Sequence, residues 1–500
     1  MRKSRKNKYT NIFPSKMEQL EELLTSKFEN NTDLSFSVYN HLNKKIAVFY
    51  IPYQVTPEKV EALLLKPLLE NDNAWDHEKV LNDIPLSSGE KTTVLEEILE
   101  KIINGHVIIY VENEDMAINY PMLNVQKRAL SKAETETVVI GPQVAFTESL
   151  TTNLNIMRWR IRSTDLVMEK IMVGERFPRE VRLVYVKSIA NETDIHTMRQ
   201  RLQELHVDEV EDNNVLMQYI EDDSFTVFPQ FYSTELPDRA TYAITKGRIG
   251  VLMENSPNAI LAPSTLFSFF ESTEDLYMRW NTGSFLRILR FISMIIAVTL
   301  TPLYVAGVTY HFETIPTQLL VSVGQSRASV PFPPIFEAIF LELMIELLRE
   351  AGARLPTKVG QTIGIVGGVV VGTAAVQAGI TSNILIIFIT ISALASFTAP
   401  SYLMGTTIRI LRFPMILLAG MLGIIGILFG ISFILIHLLR ITSLGRPYLT
   451  PIYPFRMEDL NKVLFRLPQS FQGKRFASFR PKDLIRFKER RAINKNDIDE

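Results

Sequence analysis

The sequence predicts a cytoplasmic α/β N-terminal region of two related subdomains, followed by an all-α polytopic membrane domain. Three observations lead to this prediction. The 500-residue chain changes from a charged, mixed composition to an apolar one near Thr282, two parts of the charged half resemble each other, and the apolar half contains segments long enough to cross a membrane. We therefore divide the chain into subdomain 1 (1–140), subdomain 2 (141–282), a helical transmembrane domain (283–443) and a basic cytoplasmic tail (444–500).

The two subdomains are predicted from an internal repeat. The segment IAVFYIPYQVTPEKVEALL from Ile46 aligns with VRLVYVKSIANETDIHTMRQRL from Val181, each a β-branched and aromatic strand, a polar turn and an amphipathic helix. Later, NGHVIIYVENEDMAI around Gly105 matches KGRIGVLMENSPNAI around Gly247, with a helix-closing glycine, an apolar strand and a Glu-Asn turn in both. The boundary is placed in the polar stretch Ser131 to Glu148, which is equally typical of an ordinary surface loop.

Four segments meet the requirement of roughly 20 apolar residues for a membrane crossing. They are Phe291 to Tyr310, Val359 to Ile380, Ile384 to Leu403 and Phe413 to Leu439. The last is longer than a crossing needs, so we expect it to tilt or to break in the glycine-containing stretch Gly420 to Gly430.

The orientation follows from the basic residues on both sides of the apolar half. Arg279, Arg287 and Arg290 precede the first span, and the tail after Leu444 is rich in lysine and arginine. Since cytoplasmic loops carry the excess of basic residues, both termini are predicted to be cytoplasmic and the number of crossings even. The N-terminus shows no apolar signal-peptide core. If the glutamate-containing helix described below crosses fully, the last long segment must cross twice.

Composition argues against several classes of function. The 53 basic and 54 acidic residues nearly balance, so no basic field for nucleic acid is present. The absence of cysteine excludes thiolate metal sites and cysteine nucleophiles, and the seven histidines are scattered without helical ligand spacing. The stretch GGVVVGT lacks the lysine of a phosphate-binding loop. We therefore expect no enzyme activity, no metal, no cofactor and no nucleic-acid partner.

The segment PFPPIFEAIFLELMIELLREAG predicts a helix with an acidic face. Glu342, Glu346 and Glu350 are four residues apart and share one side of the helix. Carboxylates among membrane spans are costly and indicate a wet path or a buried partner. Two interpretations stay open: a cation-attracting vestibule of a pore, or an interfacial helix in which Glu346 pairs with Arg349 and Glu350 with Arg354.

The next apolar segment contains a glycine ladder. Glycines at this spacing favour close helix packing, although glycine is also common in membrane helices without a dedicated role. Polar residues in the same segment are candidates for interhelical hydrogen bonding or for a pore wall. The packing candidates are Gly360, Gly364, Gly368 and Gly372, and the polar candidates are Gln361, Thr373 and Gln377.

The chain contains a series of further motifs in order: VGERFPREVRLVYV (Val173 to Val186), the stretch Phe228 to Tyr277, VPFPPIFEAIFLELMIELLREAGARLP, IGIVGGVVVGTAAVQAG, ASFTAPSY and LGRPYLTPIYP. Together they resemble one family, the A subunits of GerA-type spore germination receptors of endospore-forming bacteria. The resemblance covers about Leu150 to Pro454 with high specificity, and subdomain 1 more loosely.

The resemblance implies a multi-pass protein of the inner spore membrane, in contact with membrane lipid. It implies a receptor that contains a transporter-like B subunit and a lipoprotein C subunit, with the A subunits forming a homo-oligomeric ring that releases monovalent cations. Alternatives are the paralogous subunit of the dipicolinate-release system and a non-conducting scaffold. Thr373 departs from the family pattern, in which an acidic or amide residue is common, and this shifts the electrostatic argument to Glu342, Glu346 and Glu350.

Overall fold

The structure is a computed structural model in which two β-sheets precede a helical region. It describes residues 14, 16–28, 31–41, 44–70, 77–86, 88–124, 132–133, 136, 138–355, 368, 370 and 372–488. Each large sheet has five antiparallel strands within these residues, and the two sheets lie in the N-terminal half of the chain.

The two sheets have the same strand order. The first contains β1 (Ser35–His41), β2 (Lys44–Tyr50), β3 (Glu90–Thr92), β4 (His106–Val111) and β5 (Ala117–Pro121), in the order β1-β2-β4-β5-β3. The second contains β6 (Leu166–Val173), β7 (Arg179–Val186), β8 (Tyr232–Thr234), β9 (Ile249–Met253) and β10 (Ala259–Ala262), in the order β6-β7-β9-β10-β8. Replacing each strand of the first sheet by its counterpart in the second reproduces the same topology, so the prediction of two related α/β subdomains is confirmed.

The repeat extends to single backbone positions. Gly105 and Gly247, which precede β4 and β9, have φ values of 78° and 97°. Asn113 and Asn255, in the turns after these strands, have φ values of 69° and 60°. Glycine tolerates positive φ because it has no Cβ, and asparagine tolerates it better than most other residues. The matched glycine and Glu-Asn signals in the sequence therefore mark the same two turns in both subdomains.

Helices cover the faces of both sheets. In the first part they are α1 (Met17–Lys27), α2 (Pro57–Val60), which continues through a π turn (Glu61–Leu65) into α3 (Lys66–Glu70), α4 (His77–Asp83) and α5 (Leu95–Ile103). In the second they are α6 (Leu150–Arg160), α7 (Glu192–Gln203), α8 (Asn213–Ile220) and α9 (Pro237–Thr245). Asn191 and Asp212 cap α7 and α8 by accepting backbone N–H hydrogen bonds. One continuous apolar core includes residues of α1, α5, α6 and both sheets, so the subdomains pack directly on each other.

The helical region contains α10 (Trp280–Thr309), α11 (Thr317–Arg327), α12 (Pro334–Arg354), α13 (Asn383–Ser396), α14 (Tyr402–Arg440) and α15 (Met457–Leu464). Among the described residues, α10 and α14 are long and apolar enough to cross a membrane, and α13 is a shorter apolar helix. The predicted span Phe291 to Tyr310 falls almost wholly within α10, and half of the predicted span Val359 to Ile380 lies outside the described residues.

Helix α14 is a hairpin of two arms. Its backbone leaves the helical region at Gly423, with φ 63° and ψ −141°. Thr407 Oγ1 donates to the Val227 carbonyl at 2.6 Å, and the His437 ring lies 2.8 Å from Thr226 Oγ1. A straight helix would hold Thr407 and His437 about 45 Å apart, yet they meet adjacent residues of one loop. The break therefore falls inside the predicted stretch 420–430, and it reverses the chain rather than tilting it.

The segment after α14 returns to subdomain 2. Ser443 Oγ donates to the Gln230 carbonyl at 2.8 Å, and Tyr448 Oη donates to the Pro229 carbonyl at 2.8 Å. Further along, the Lys482 backbone N–H donates to the Ile189 carbonyl at 2.8 Å. The described part of the C-terminal segment is therefore docked on the second sheet domain.

Candidate functional site

The first half of the acidic face of α12 points into the helical region. The Glu342 side chain is 2% exposed, and its Oε2 lies 2.6 Å from Arg412 Nη1 of α14, which is also 2% exposed. A buried carboxylate needs such a partner because desolvation disfavours an isolated charge. Of the two possibilities that the sequence raises for a carboxylate among spans, the structure places Glu342 against a buried partner.

Neutral groups from two further helices complete this ion pair. Thr301 of α10 donates from Oγ1 to Glu342 Oε1 at 3.1 Å. Arg412 donates from Nε to the Ala297 carbonyl of α10 at 2.8 Å, and from Nη2 to the Ser392 carbonyl of α13 at 3.1 Å. The two charged groups therefore connect α10, α12, α13 and α14 at one level of the helical region.

The other two glutamates of this face are progressively more exposed. Glu346 contacts Arg349 on its own helix, and its Oε1 lies 3.7 Å from Arg409 Nε of α14, which is beyond hydrogen-bond range. Glu350 Oε1 lies 2.6 Å from Arg354 Nη2, with the two side chains 63% and 78% exposed. Both local pairs named by the interfacial interpretation are present in the structure, and a cation vestibule at these residues stays a prediction.

Glu337 forms a second buried ion pair at the opposite end of α12. Its Oε1 lies 2.8 Å from Arg327 Nη1 at the end of α11. Its Oε2 accepts a hydrogen bond from the Ser382 backbone N–H, just before α13, at 3.2 Å. Glu337 is not among the candidates predicted from the sequence, because it lies in the first turn of the helix, where an acidic residue is ordinary.

Arg412 and Arg409 are the functional candidates that the sequence analysis missed. They stand three residues apart on one side of α14, while Glu342 and Glu346 stand four apart on α12. The pairs run in opposite order along the chain, Glu342 with Arg412 and Glu346 with Arg409, so the two helices are antiparallel. The sequence contains one signal for this contact. Two arginines stand beside an apolar segment, with a spacing that matches that of the two glutamates.

The described part of the glycine ladder is open. A Cβ added at Gly368 or Gly372 meets no described atom within 4 Å. Thr373 and Gln377, on the same segment, are exposed. The described part of the chain therefore leaves this glycine face uncovered. The remaining predicted residues, Gly360, Gln361 and Gly364, lie outside the described residues.

Comparison with a solved structure covers the N-terminal half. A crystal structure of the N-terminal domain of the A subunit of the Bacillus megaterium spore germinant receptor GerK3 matches 52% of this chain and 99% of that domain. The TM-score is 0.41 and the sequence identity is 22%.

Similarity to characterised sequences covers most of the chain. Spore germination protein GerQA of Bacillus cereus is 43% identical over 425 residues, which is 83% of this chain and 85% of that protein. Spore germination protein A1 of Bacillus subtilis (strain 168) is 36% identical over 452 residues, 89% of this chain and 92% of that protein. The model of the Bacillus/Clostridium GerA spore germination protein family matches residues 22–478. The chain belongs to the GerA family of spore germination proteins.

Proposed function

We propose that this chain is the A subunit of a nutrient germinant receptor and acts as an oligomeric gated channel that releases monovalent cations early in germination. Its partners in this proposal are a transporter-like B subunit, a lipoprotein C subunit and further copies of itself. Family membership supports the germination role. Buried charge within an apolar helical region supports a membrane protein with a specific helix arrangement.

The helix lengths support a multi-pass arrangement in the inner spore membrane. At 1.5 Å per residue, α12 and the first arm of α14 are each about 32 Å long, close to the roughly 30 Å of a hydrocarbon core. Helix α10 is longer, and its first turns lie beside subdomain 2. Since both ends of the α14 hairpin meet one loop of subdomain 2, we place subdomains and tail together on the cytoplasmic side.

The proposed ring rests on the uncovered glycine face that contains Gly368 and Gly372. Gly368 and Gly372 leave room for another helix, and the exposed Thr373 and Gln377 add polar groups to that surface. A second copy packed there would bury the glycines and leave the polar groups to line a path at the symmetry axis. In this arrangement Glu342 holds the helices together, and Glu350 is the exposed carboxylate at the path's cytoplasmic end.

Introduced cysteines test the proposal without background, because the natural sequence has none. We expect Thr373→Cys to give disulfide-linked dimers in oxidised membranes. The matched control is Ile425→Cys on α14, a 57% exposed apolar position that we assign to lipid. We also expect a positively charged thiol reagent to reduce nutrient-triggered potassium efflux in Gln377→Cys and to leave Ile425→Cys unchanged.

The opposite results have a definite meaning. A monomeric Thr373→Cys protein, together with unchanged efflux in modified Gln377→Cys, contradicts the ring. A verified oligomer without conductance in a planar bilayer favours the scaffold alternative, in which the subunit clusters its partners and another chain conducts.

A further inference from the structure

Two small cavities adjoin at the place where three parts of the chain meet. These parts are α9 of subdomain 2, the segment leading into α10, and the C-terminal segment. The cavities have volumes of about 30 and 40 Å³ and share Tyr242, Lys246, Glu271 and Arg287 as lining residues. Since a water needs roughly 10–15 Å³, each cavity has room for about two to four waters or one small ion.

The lining is strongly basic. Among the described residues it contains eight cations against Glu271 as its carboxylate; the cations are Arg239, Lys246, Arg248, Arg287, Lys462, Arg466, Lys474 and Arg486. Glu271 lies 3.5 Å from Arg287, and Arg287 also lies 3.4 Å from Asp275. The negative charge of Glu271 is therefore already shared with Arg287.

Lys462 and Lys474 pair with Asp459 and Glu458, at 3.6 and 3.5 Å, whereas Arg248 and Arg466 are bound to neutral groups. Arg248 Nη2 donates to Ser268 Oγ at 2.6 Å, and Arg466 Nη1 donates to the Met278 carbonyl at 2.7 Å. Neither contact reduces the positive charge. The junction therefore retains an excess of positive charge in a partly enclosed space.

Lys246 is a nearly buried cation of this lining. The residue is 8% exposed, and its Nζ contacts the Tyr242 hydroxyl and lies 3.7 Å from the centre of that ring. It forms no ion pair within the described part of the chain. Burial lowers the pKa of Lys246 to about 7; Glu271 opposes the shift, and the positive charges of Arg486, Arg248 and Arg287 add to it.

We propose that this junction binds a phosphate group, between Lys246, Arg248 and the arginines of the C-terminal segment. A tetrahedral phosphate group supplies oxygen acceptors in several directions at once, as converging ammonium and guanidinium donors require. The volume restricts the occupant to the phosphate group itself, supplied either as free phosphate or as the headgroup of an anionic lipid. This inference goes beyond the proposed function, because it assigns a ligand to the contact between subdomain 2, the first long helix and the C-terminal segment.

Occupancy has a proton signature. A bound dianion favours the ammonium form of Lys246, so binding near pH 7 takes up a proton, whereas at pH 5.5 the amine is already charged in both states. Sulfate has the same shape and no proton to exchange at these pH values. We therefore expect sulfate binding to the purified full-length protein, measured calorimetrically in buffers of different ionisation enthalpy, to show proton uptake at pH 7 that disappears at pH 5.5.

The decisive experiment compares two lysine variants. We expect Lys246→Met to weaken inorganic phosphate binding by about tenfold or more, as the loss of a charge-assisted contact requires. The control is Lys482→Met, which removes a lysine of the C-terminal segment that pairs with Glu192 at 2.8 Å outside the cavities. Lys246→Met also removes a buried amine without a carboxylate partner, so we expect it to fold, and Lys246→Arg should retain binding.

A lipid arm separates the two sources of phosphate. In nanodiscs without free phosphate, the melting temperature in phosphatidylglycerol is compared with that in phosphatidylcholine. A higher melting temperature in phosphatidylglycerol for wild type, but not for Lys246→Met, identifies a lipid headgroup as the source of the phosphate. Lysine-dependent binding of inorganic phosphate in detergent identifies the free ion. Absence of both effects, or equal effects in Lys246→Met and wild type, overturns the proposal.

Discussion

Asp33 and Arg158 form a fully buried ion pair between the two subdomains, with Oδ2 and Nη2 2.8 Å apart and both side chains 0% exposed. Arg182 of β7 lies 3.1 Å from the other oxygen of Asp33, and Tyr53 donates its hydroxyl to Oδ2 at 2.6 Å. One carboxylate of subdomain 1 therefore holds two arginines of subdomain 2. The contact fixes how the two repeats pack.

Replacing Asp33 with alanine should destabilise the protein strongly. It leaves the buried Arg158 uncompensated, and removing one member of a buried pair costs about 3–5 kcal/mol. The control is Glu90→Gln: the Glu90 side chain is 67% exposed where it pairs with Lys101, so its replacement should change stability far less. Thermal unfolding of the full-length protein in detergent measures both. A melting temperature of Asp33→Ala equal to that of Glu90→Gln would contradict the assignment.

The Glu342–Arg412 pair should behave in the same way within the helical region. We expect Arg412→Met or Glu342→Gln alone to reduce the thermal stability of the detergent-solubilised protein by about 3–5 kcal/mol. The double variant Glu342→Gln with Arg412→Met should recover most of this loss, because no unpaired charge is left. Glu350→Gln, at an exposed pair, is the control and should change stability by less than about 1 kcal/mol. Additive losses in the double variant would show that the two residues do not interact.

Gly423 should resist substitution. Its φ of 63° with ψ of −141° is accessible to glycine, and a Cβ there would come within 2.8 Å of His311 Nε2. We expect Gly423→Ala to cost about 1–3 kcal/mol from backbone strain and to lower the amount of folded protein in membranes. The control is Gly324→Ala on α11, where a Cβ meets nothing described within 4 Å and alanine favours the helix. Equal yields of the two variants would argue against the hairpin.

The stability of subdomain 2 should depend on pH through Glu221. Burial raises the pKa of Glu221 from 4.5 to about 7. The folded state binds this proton more tightly than the unfolded state does. The stabilisation that Glu221 contributes to the folded state is therefore complete below about pH 4.5 and is lost as the pH rises to about 7. The difference in free energy of unfolding between wild type and Glu221→Gln should therefore change by up to about 3 kcal/mol across that pH interval. Melting temperatures of the two proteins, measured across the interval, report this change. A constant difference would show that Glu221 does not titrate there.

Features encoded locally were predictable from the sequence. The pairs Glu346–Arg349 and Glu350–Arg354 lie within one helical turn and follow from helix periodicity alone. The repeat also needed only local signals, because a glycine at positive φ and a Glu-Asn turn recur at matched places. These signals identified equivalent strands before their pairing was known.

Long-range pairings were not predictable in this way. Glu342 and Arg412 are 70 residues apart, and nothing in either helix alone specifies the other as its partner. The reversal of the chain at Gly423 was not predictable either. Glycine permits a reversal, but the contacts of Thr407 and His437 with subdomain 2 determine that the chain reverses there. Asp33 likewise shows no local sign that its partner lies in the second repeat.

The fastening of α14 at residues 226 and 227 has a mechanical consequence. Both arms of the hairpin are hydrogen-bonded to neighbouring residues of one loop of subdomain 2. A rotation of subdomain 2 therefore moves both arms in the same direction. The arms are held against separating at that end. Relative movement is therefore left to the opposite end, where Tyr310 donates its hydroxyl to the Gly420 carbonyl at 2.9 Å and α10 meets the turn at Gly423.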